Sequence, residues 1–214
     1  MNESAFLRSI SSKSFSPARI AEQAIRYPDL IEKAIEGLSA EKATVRYRCE
    51  KVLRTISTKQ PEILYPHFDF FAGLLDGSNN FLKWGAIITI GNLVRADLNN
   101  KFELIFDKYF SPIAGPVMIT AANTIRSAAK IAAAKPALAD RISKQILKVE
   151  GAKYKTPECR NVAIGHAIDS FDQFFEHVQN KDAIIKFVKK QLKNTRSPVR
   201  KRAETFLKKR KNSC

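Results

Sequence analysis

Residues 63–94 contain two apolar segments on either side of a short polar turn, and this arrangement constrains the fold more than any other feature of the chain. In both segments the apolar residues recur at helical spacing. They are Phe68, Phe71, Leu74 and Leu75 before the turn, and Leu82, Ala86, Ile90 and Leu93 after it. The turn, residues 77–80, reads Gly-Ser-Asn-Asn, so the segments are predicted to fold back as an antiparallel helix pair. One such pair cannot bury both of its faces, and it therefore needs similar pairs beside it.

A five-position pattern recurs in the second helix of each predicted pair. It consists of an apolar residue, a basic residue, a small residue and two core residues. The five copies are Val45, Arg46, Cys49, Val52, Leu53; Leu82, Lys83, Ala86, Thr89, Ile90; Val117, Met118, Ala121, Thr124, Ile125; Cys159, Arg160, Ala163, His166, Ala167; and Val199, Arg200, Ala203, Phe206, Leu207. Successive copies begin 37, 35, 42 and 40 residues apart, which is typical of helix-pair repeats. Met118 in a basic position and His166 in a core position depart from the pattern.

The pattern resembles that of the HEAT-repeat (armadillo-like helical repeat) family. The dipeptides Val45-Arg46 and Val199-Arg200 are typical of the second helix of that family. Pro66 and Asp76 lie where the family has a proline in the first helix and an aspartate before the turn. The resemblance covers roughly residues 28–210. It implies an all-α fold, a right-handed α-α superhelix (solenoid) of about five helix pairs.

The predicted domain organisation follows from these repeats. Ser16-Pro17 is a typical N-cap and first helical position, and it predicts an N-terminal capping helix that ends at about Arg26. We therefore expect a flexible N-terminus at 1–15, a single repeat domain at 16–211 and a tail at 212–214. The first ten residues lack an apolar signal-peptide core, and no apolar run has the length of a membrane span.

The composition indicates a globular chain with one strongly basic end. The formal net charge is +16, and residues 186–211 contain twelve Lys or Arg against one acid, Glu204. The three cysteines, Cys49, Cys159 and Cys214, are widely spaced and odd in number, which argues against a disulfide framework and favours a reducing compartment. We expect a cytoplasmic protein, or a nuclear one if the source is eukaryotic, because residues 208–211 (Lys-Lys-Arg-Lys) resemble a nuclear-import signal.

Motifs for catalysis and cofactor binding are absent from the sequence. The P-loop, the dinucleotide-binding glycine motif, the H-E-x-x-H zinc motif and paired C-x-x-C motifs do not occur. His166, Asp169 and Asp172 are spaced three apart and share one helix face, but a metal site would need further ligands from another helix. The sequence therefore predicts no catalytic residue, no metal and no cofactor, and whether the protein is an enzyme stays uncertain, with a non-enzyme favoured.

The surface of the second helices that faces away from the core is the predicted binding site. In HEAT-like proteins these helices line the concave surface, as the resemblance implies. Helical rotation places nine residues there: Tyr47, Lys51, Arg54, Trp84, Ile88, Ile119, Arg126, Lys201 and Lys208. An aromatic and apolar middle with basic residues suits a peptide with acidic flanks. Packing of Trp84 against neighbouring helices is the competing interpretation.

Three functions are compatible with such a surface. The favoured one is a non-enzymatic scaffold that binds a protein or peptide partner in the concave groove. The second is binding of a nucleic-acid phosphate backbone. Its candidate residues are Arg196, Arg200, Lys201, Arg202, Lys208, Lys209, Arg210 and Lys211. The third is a relative of the HEAT-like DNA-repair glycosylases, which would need an acid beside aromatic residues that hold the damaged nucleotide.

Overall fold

The computed structural model describes residues 3–211, and this part of the chain consists of α-helices and 3₁₀ turns without a β-strand. The α-helices are α1 Glu3–Ser11, α2 Pro17–Arg26, α3 Asp29–Glu36, α4 Ala43–Lys59, α5 Pro61–Leu64, α6 Phe68–Leu74, α7 Asn80–Leu93, α8 Lys101–Leu104, α9 Phe106–Phe110, α10 Met118–Ala134, α11 Ala139–Leu147, α12 Pro157–Phe174, α13 Asp182–Gln191 and α14 Ser197–Lys211. None of the helices within 3–211 is long and apolar enough to cross a membrane.

The first helices of the pairs are shorter and more broken than the second helices. Pro66 lies in a 3₁₀ turn, Tyr65–His67, that separates α5 from α6. Pro112 likewise lies in a 3₁₀ turn, Ser111–Ala114, which follows α9. A proline inside a helix removes a backbone donor and clashes with the preceding turn, which explains both interruptions.

Two of the second helices, α7 and α12, begin where a polar side chain caps free backbone N–H groups. Asn79 Oδ1 accepts hydrogen bonds from the backbone N–H of Phe81 at 3.0 Å and of Leu82 at 3.3 Å. Thr156 Oγ1 accepts one from the N–H of Cys159 at 3.1 Å. These caps fix the starts of α7 and α12, and thereby the phase in which each helix presents its side chains.

The chain divides into two compact units, one up to Ile105 and one from Phe106 onward. In the first unit α4 packs against α2 and α7, and α3 and α6 pack against α4 and α7 respectively. In the second unit α12 packs between α10 and α14, and α13 packs against α14. Each unit therefore has a layer of adjacent second helices. The predicted single domain at 16–211 stays a prediction, and the tail at 212–214 lies outside the described residues.

The small position of the repeat pattern is buried in all five copies. Cys49, Ala86, Ala121, Ala163 and Ala203 are at most 2% exposed. Burial raises the pKa of the Cys49 thiol to about 11, so this cysteine is an inert core residue. The small side chains let the neighbouring helices approach closely, as the pattern predicts.

Helix α1 lies within the segment at 1–15 for which the sequence predicts flexibility. In the structure Phe6 and Ile10 are fully buried. Arg48 of α4 donates to the backbone oxygens of Ile10 at 2.7 Å and Ser12 at 2.8 Å, and its guanidinium stacks over the ring of Phe15. The Ser-rich composition concealed this contact, because the residue that anchors the segment lies far along the chain.

Candidate binding surface

The nine residues predicted to line the binding surface all lie on second helices, and none of them is buried. Tyr47, Lys51 and Arg54 are on α4, Trp84 and Ile88 on α7, Ile119 and Arg126 on α10, and Lys201 and Lys208 on α14. Tyr47, Arg54, Trp84 and Ile88 are half-buried, and the other five are exposed. Because the first five belong to one unit and the last four to the other, each group is described within its own unit.

In the first unit four half-buried residues form a surface that we call the aromatic patch: Tyr47, Phe81, Trp84 and Ile88. The rings of Tyr47 and Phe81 stack across the junction of α4 and α7, with centroids 4.1 Å apart. Phe81, Trp84 and Ile88 follow one another at helical spacing on α7 and therefore share a face. The sequence analysis missed Phe81, because it lies in the first turn of the helix, ahead of the repeat pattern.

Glu50 is a second residue of this region that the sequence analysis missed. It is only 6% exposed and packs directly on Gly85, where a Cβ atom would lie 2.5 Å from the Glu50 Cγ. Arg54 Nε donates to Glu50 Oε1 at 2.8 Å, so the charge of Arg54 is partly neutralised. Burial raises the pKa of the Glu50 carboxyl, and the nearby Arg54 opposes that rise. The glycine in the middle of α7 is the sequence signal that could have revealed the site.

Polar contacts close the junction of α4 and α7 beyond Glu50. Asn92 Nδ2 donates to Ser57 Oγ at 2.9 Å and to Thr58 Oγ1 at 3.1 Å. Arg95 donates to the backbone oxygen of Thr58 at 3.2 Å. The two helices are thus held together beneath and beyond the aromatic patch, so the patch has a rigid base.

In the second unit the corresponding surface is polar and charged. The Arg202 guanidinium of α14 lies against Gly165 of α12 and forms an ion pair with Asp169 at 3.2 Å. Burial raises the pKa of Asp169, whereas Arg202 lowers it. Burial lowers the pKa of His166, and the positive charges of Arg126 and Arg202 lower it further. The adjacent helices α10, α12 and α14 therefore place His166 in the positive field of Arg126 and Arg202.

Most arginines of the basic cluster are engaged within the protein. Arg196 pairs with Glu158, and Arg210 pairs with Asp172. Lys209 also lies 3.1 Å from the Asp172 carboxylate. Arg210 additionally stacks over the ring of Phe206, 4.2 Å from its centroid. The charges of these residues therefore stabilise the packing of α12 against α14 and are less available to a ligand.

Two cations of this cluster are available to a ligand. Among the residues that the structure describes, Lys201 and Lys208 have no acidic partner, and both are exposed. The side chain of Lys211 lies outside the described part of the chain.

The arginines of the two apolar-Arg dipeptides make the same contact in both units. Arg46 Nη1 donates to the backbone oxygens of Ala40 at 2.6 Å and Glu41 at 2.7 Å. Arg200 Nη1 donates to those of Asn194 at 2.7 Å and Thr195 at 3.0 Å. In each case the acceptors precede the arginine by six and five residues. In these two repeats the arginine of the basic position therefore fixes the turn between the paired helices, and Arg200 is a structural residue.

Asp169 and Asp172, which the sequence places on one face with His166, have cationic partners in the structure. Asp169 pairs with Arg202, and Asp172 with Lys209 and Arg210. Within residues 3–211 no group of three or more His, Cys, Asp or Glu side chains is placed to hold a metal ion. The two carboxylates are therefore ion-pair partners of basic side chains on α14.

The fold has counterparts among solved structures. The chain is similar to a designed armadillo repeat protein, with a TM-score of 0.57, 16% identity and coverage of 96% of this chain and 92% of that one. The fold is an armadillo-like helical repeat. A second engineered protein matches with a TM-score of 0.56 at 16% identity, over 97% of this chain and 96% of the other. The predicted all-α repeat fold is thereby confirmed. No family model and no curated protein sequence matches the chain.

Proposed function

We propose that this helical-repeat protein is a non-enzymatic scaffold that binds a segment of another protein on its second helices, and that the aromatic patch is the centre of the site. Stacked, half-exposed aromatic rings on a rigid base are typical of binding hot spots. The exposed cation Lys51 lies one turn from Tyr47 on α4, so an apolar segment with a neighbouring acidic residue fits best. The observation that supports this proposal most directly is the Tyr47–Phe81 stack beside Trp84 and Ile88.

The test is a selection of peptides that depend on this patch. A displayed random-peptide library is first depleted on immobilised Tyr47→Ala/Trp84→Ala protein and then selected on the wild type. Synthetic versions of the selected peptides are titrated by fluorescence polarisation. We expect the double variant to bind at least about tenfold more weakly, since each aromatic anchor of a hot spot is worth more than about 1 kcal/mol.

Folding of the variant must be checked in parallel. Both replaced side chains are half-buried, so we expect unchanged helical circular dichroism and a modest fall of Tm. Lys51→Glu provides a variant without any packing change, and it should weaken peptides that carry acidic residues. If the double variant unfolds, or if no peptide survives depletion, the patch belongs to the core and the proposal fails.

Binding of a nucleic-acid backbone is the second candidate function. The excess of twelve basic residues over one acid at 186–211, with Lys201 and Lys208 exposed, supports it. The ion pairs of Arg196, Arg202 and Arg210 count against it, because those charges already face carboxylates. Base excision would require an open carboxylate beside the aromatic patch, and Glu50 is buried and bonded to Arg54.

Fluorescence polarisation with a labelled random duplex and a labelled single strand, across a salt series, decides between the two functions. If the surface neutralises several phosphates, affinity falls steeply with salt. The variant Lys201→Glu/Lys208→Glu should then lose most of the binding, whereas Lys42→Glu/Lys51→Glu, which changes two exposed lysines of the other unit, serves as the charge-matched control. Weak binding that does not depend on salt would argue against the nucleic-acid function, and peptide binding would then be the remaining candidate.

A further inference from the structure

The second unit has a large groove on the face of α13 and α14, which shares Lys208 with the predicted binding surface described above. Its volume is about 1160 Å³. The apolar part of its lining comes from Phe175, Ile185, Leu192 and Leu207. Leu192 is 40% exposed, and Ile185 and Leu207 are half-buried. An apolar groove of this size on a basic helix pair needs an explanation.

The repeat pattern itself shows what such a face accommodates. Leu207 occupies the last core position of the pattern. The residues at that position in the other four repeats are Leu53, Ile90, Ile125 and Ala167, and all are at most 1% exposed. The helix that carries Leu53, α4, is packed against α2, α3 and α7. In this fold the face that carries Leu207 is therefore one that helices cover.

The charges around the groove restrict which helix could cover it. Lys189 and Lys208 line the groove, are exposed and have no acidic partner among the described residues. The acid Glu176 is already paired with Lys181 at 2.7 Å, and this contact lowers the pKa of Glu176. Glu204 is the second acid of the lining, against the four cations Lys181, Lys189, Lys208 and Arg210. Residues 186–211 contain twelve Lys or Arg and Glu204 as their one acid, so the surroundings are positive. A basic helix, or a second copy of a chain with net charge +16, would be repelled.

We propose that the groove between α13 and α14 is a docking site for an acidic amphipathic helix of a partner protein. The apolar face of that helix would cover Ile185, Leu192 and Leu207, as neighbouring helices cover the equivalent position elsewhere in the chain. Its acidic flanks would face Lys189 and Lys208. This site is separate from the aromatic patch and does not rest on the function proposed for it.

The probe for this site is a synthetic, labelled helix of roughly 18 residues with leucines at i, i+3, i+4 and i+7 and glutamates on both flanks. Its partner probe has the same leucines and lysines in place of the glutamates. Fluorescence polarisation against the full chain should show saturable binding of the acidic helix alone. The affinity should fall as salt rises, because the charged rim is screened.

Two variants test the two halves of the proposal. Leu192→Ser should weaken binding of the acidic helix about tenfold, the factor expected when one leucine is no longer buried. Lys189→Glu/Lys208→Glu should abolish binding of the acidic helix and allow the lysine helix to bind. Leu98→Ser is the matched apolar control, since Leu98 is 90% exposed and lies in the other unit. Leu192 is exposed enough that its replacement should leave the fold intact, which circular dichroism checks.

Five outcomes would overturn the proposal. In the first two, the acidic helix does not bind at low salt, or it binds Leu192→Ser as well as the wild type. In the third, sedimentation shows a dimer that Leu192→Ser dissociates, so that a second copy covers the groove. In the fourth, vesicles of phosphatidylglycerol bind the wild type and not Leu192→Ser, which assigns the groove to a membrane surface. In the fifth, Tyr47→Ala/Trp84→Ala loses binding of the acidic helix, which assigns that helix to the aromatic patch, so failure of one site is distinguishable from failure of the other.

Discussion

Both units place a long charged side chain over a glycine of the neighbouring second helix, but they do so with opposite charges and in opposite directions. In the first unit Glu50 of the earlier helix lies on Gly85 of the later one. In the second unit Arg202 of the later helix lies on Gly165 of the earlier one. Glu50 is buried, whereas Arg202 is half-buried and ends at the surface beside Asp169.

The comparison shows that one type of contact, a charged side chain packed on a glycine of the neighbouring helix, can produce two different surfaces. We call the space above that glycine the glycine slot. Where the side chain packed on the glycine is a glutamate, the shorter of the two, it is buried in the helix junction and aromatic rings lie at the surface. Where it is a long arginine, its charged end emerges and gives the surface an electrostatic character. The surface chemistry of each unit therefore depends on which residue occupies the glycine slot.

The largest expected difference between the units concerns the two glycines. Gly85→Ala would place a Cβ atom 2.5 Å from both Cγ and Oε1 of the enclosed Glu50. We expect it to destabilise the protein by about 1–3 kcal/mol, as overpacking of a core does. Gly165→Ala would clash with the end of the flexible Arg202 side chain and would lie in ordinary van der Waals contact with Val199 Cγ2 at 3.5 Å. There the gain in helix propensity should dominate, with an effect from zero to about 1 kcal/mol of stabilisation. Urea unfolding measures both.

Two further variants keep this comparison interpretable. A Cβ atom added at Gly73 on α6 would lie more than 4 Å from every atom outside the adjacent helix backbone. Gly73→Ala therefore reports helix propensity alone. The double variant Glu50→Ala/Gly85→Ala removes the clash and should recover part of the loss. Equal effects of Gly85→Ala and Gly165→Ala would show that the two slots do not differ as the structure indicates.

The next effect is the pH dependence of the buried carboxyl. Burial raises the pKa of Glu50 in the folded chain, so its contribution to stability is complete below the ordinary value of 4.5 and is lost as pH rises through the folded-state pKa. Glu50→Gln lacks this titration. The Tm of Glu50→Gln minus the Tm of the wild type should therefore increase as pH rises from 4 to 7, because only the wild type loses this contribution.

The control for that experiment is the exposed Glu62 of α5, in the same unit. Glu62→Gln should show no comparable trend in relative Tm, since an exposed carboxyl changes its solvation little on folding. A constant Tm difference for Glu50→Gln across the pH range would contradict the burial of an ionisable Glu50.

The smallest effect concerns His166 in the second unit. Burial, Arg126 and Arg202 together hold the pKa of His166 below its usual 6.5. Removal of one positive charge by Arg126→Gln should raise that pKa without restoring it fully. A proton NMR titration measures this, with the His166→Gln spectrum providing the assignment. Lys144→Gln, an exposed cation on α11, should leave the titration unchanged. If the midpoint of the His166 titration is the same in Arg126→Gln as in the wild type, Arg126 does not influence the pKa of His166.

The sequence was sufficient for the helices and the repeat, because periodic burial is a local signal. The predicted helix at 17–26 is observed as α2 Pro17–Arg26, and the small position is buried in every copy. The pattern did not predict that Leu207, an apolar core position, would be only half-buried. Its exposure depends on which helices are its neighbours, and one repeat does not carry that information.

The candidate site was predictable only in part. Rotation around the helices placed Tyr47, Trp84 and Lys201 at the surface, where the structure has them. The ion pairs of Arg202 and Arg210 join residues more than thirty positions apart and could not be inferred from spacing. Whether the nine predicted residues bind a ligand stays a prediction.

The paired contacts of Arg46 and Arg200 have a consequence for how this chain can diverge. In each contact one guanidinium nitrogen, Nη1, bridges two carbonyl oxygens, and a lysine side chain is one atom shorter and ends in a tetrahedral ammonium, so a lysine there would change both the reach and the donor geometry. Among homologues of this chain, arginine should persist at these two positions, whereas exposed cations outside any binding site should exchange freely with other polar residues. Sequence variation would then distinguish the arginines that maintain the turns from the lysines on the surface, and a lysine such as Lys201 would persist only if it contacts a ligand.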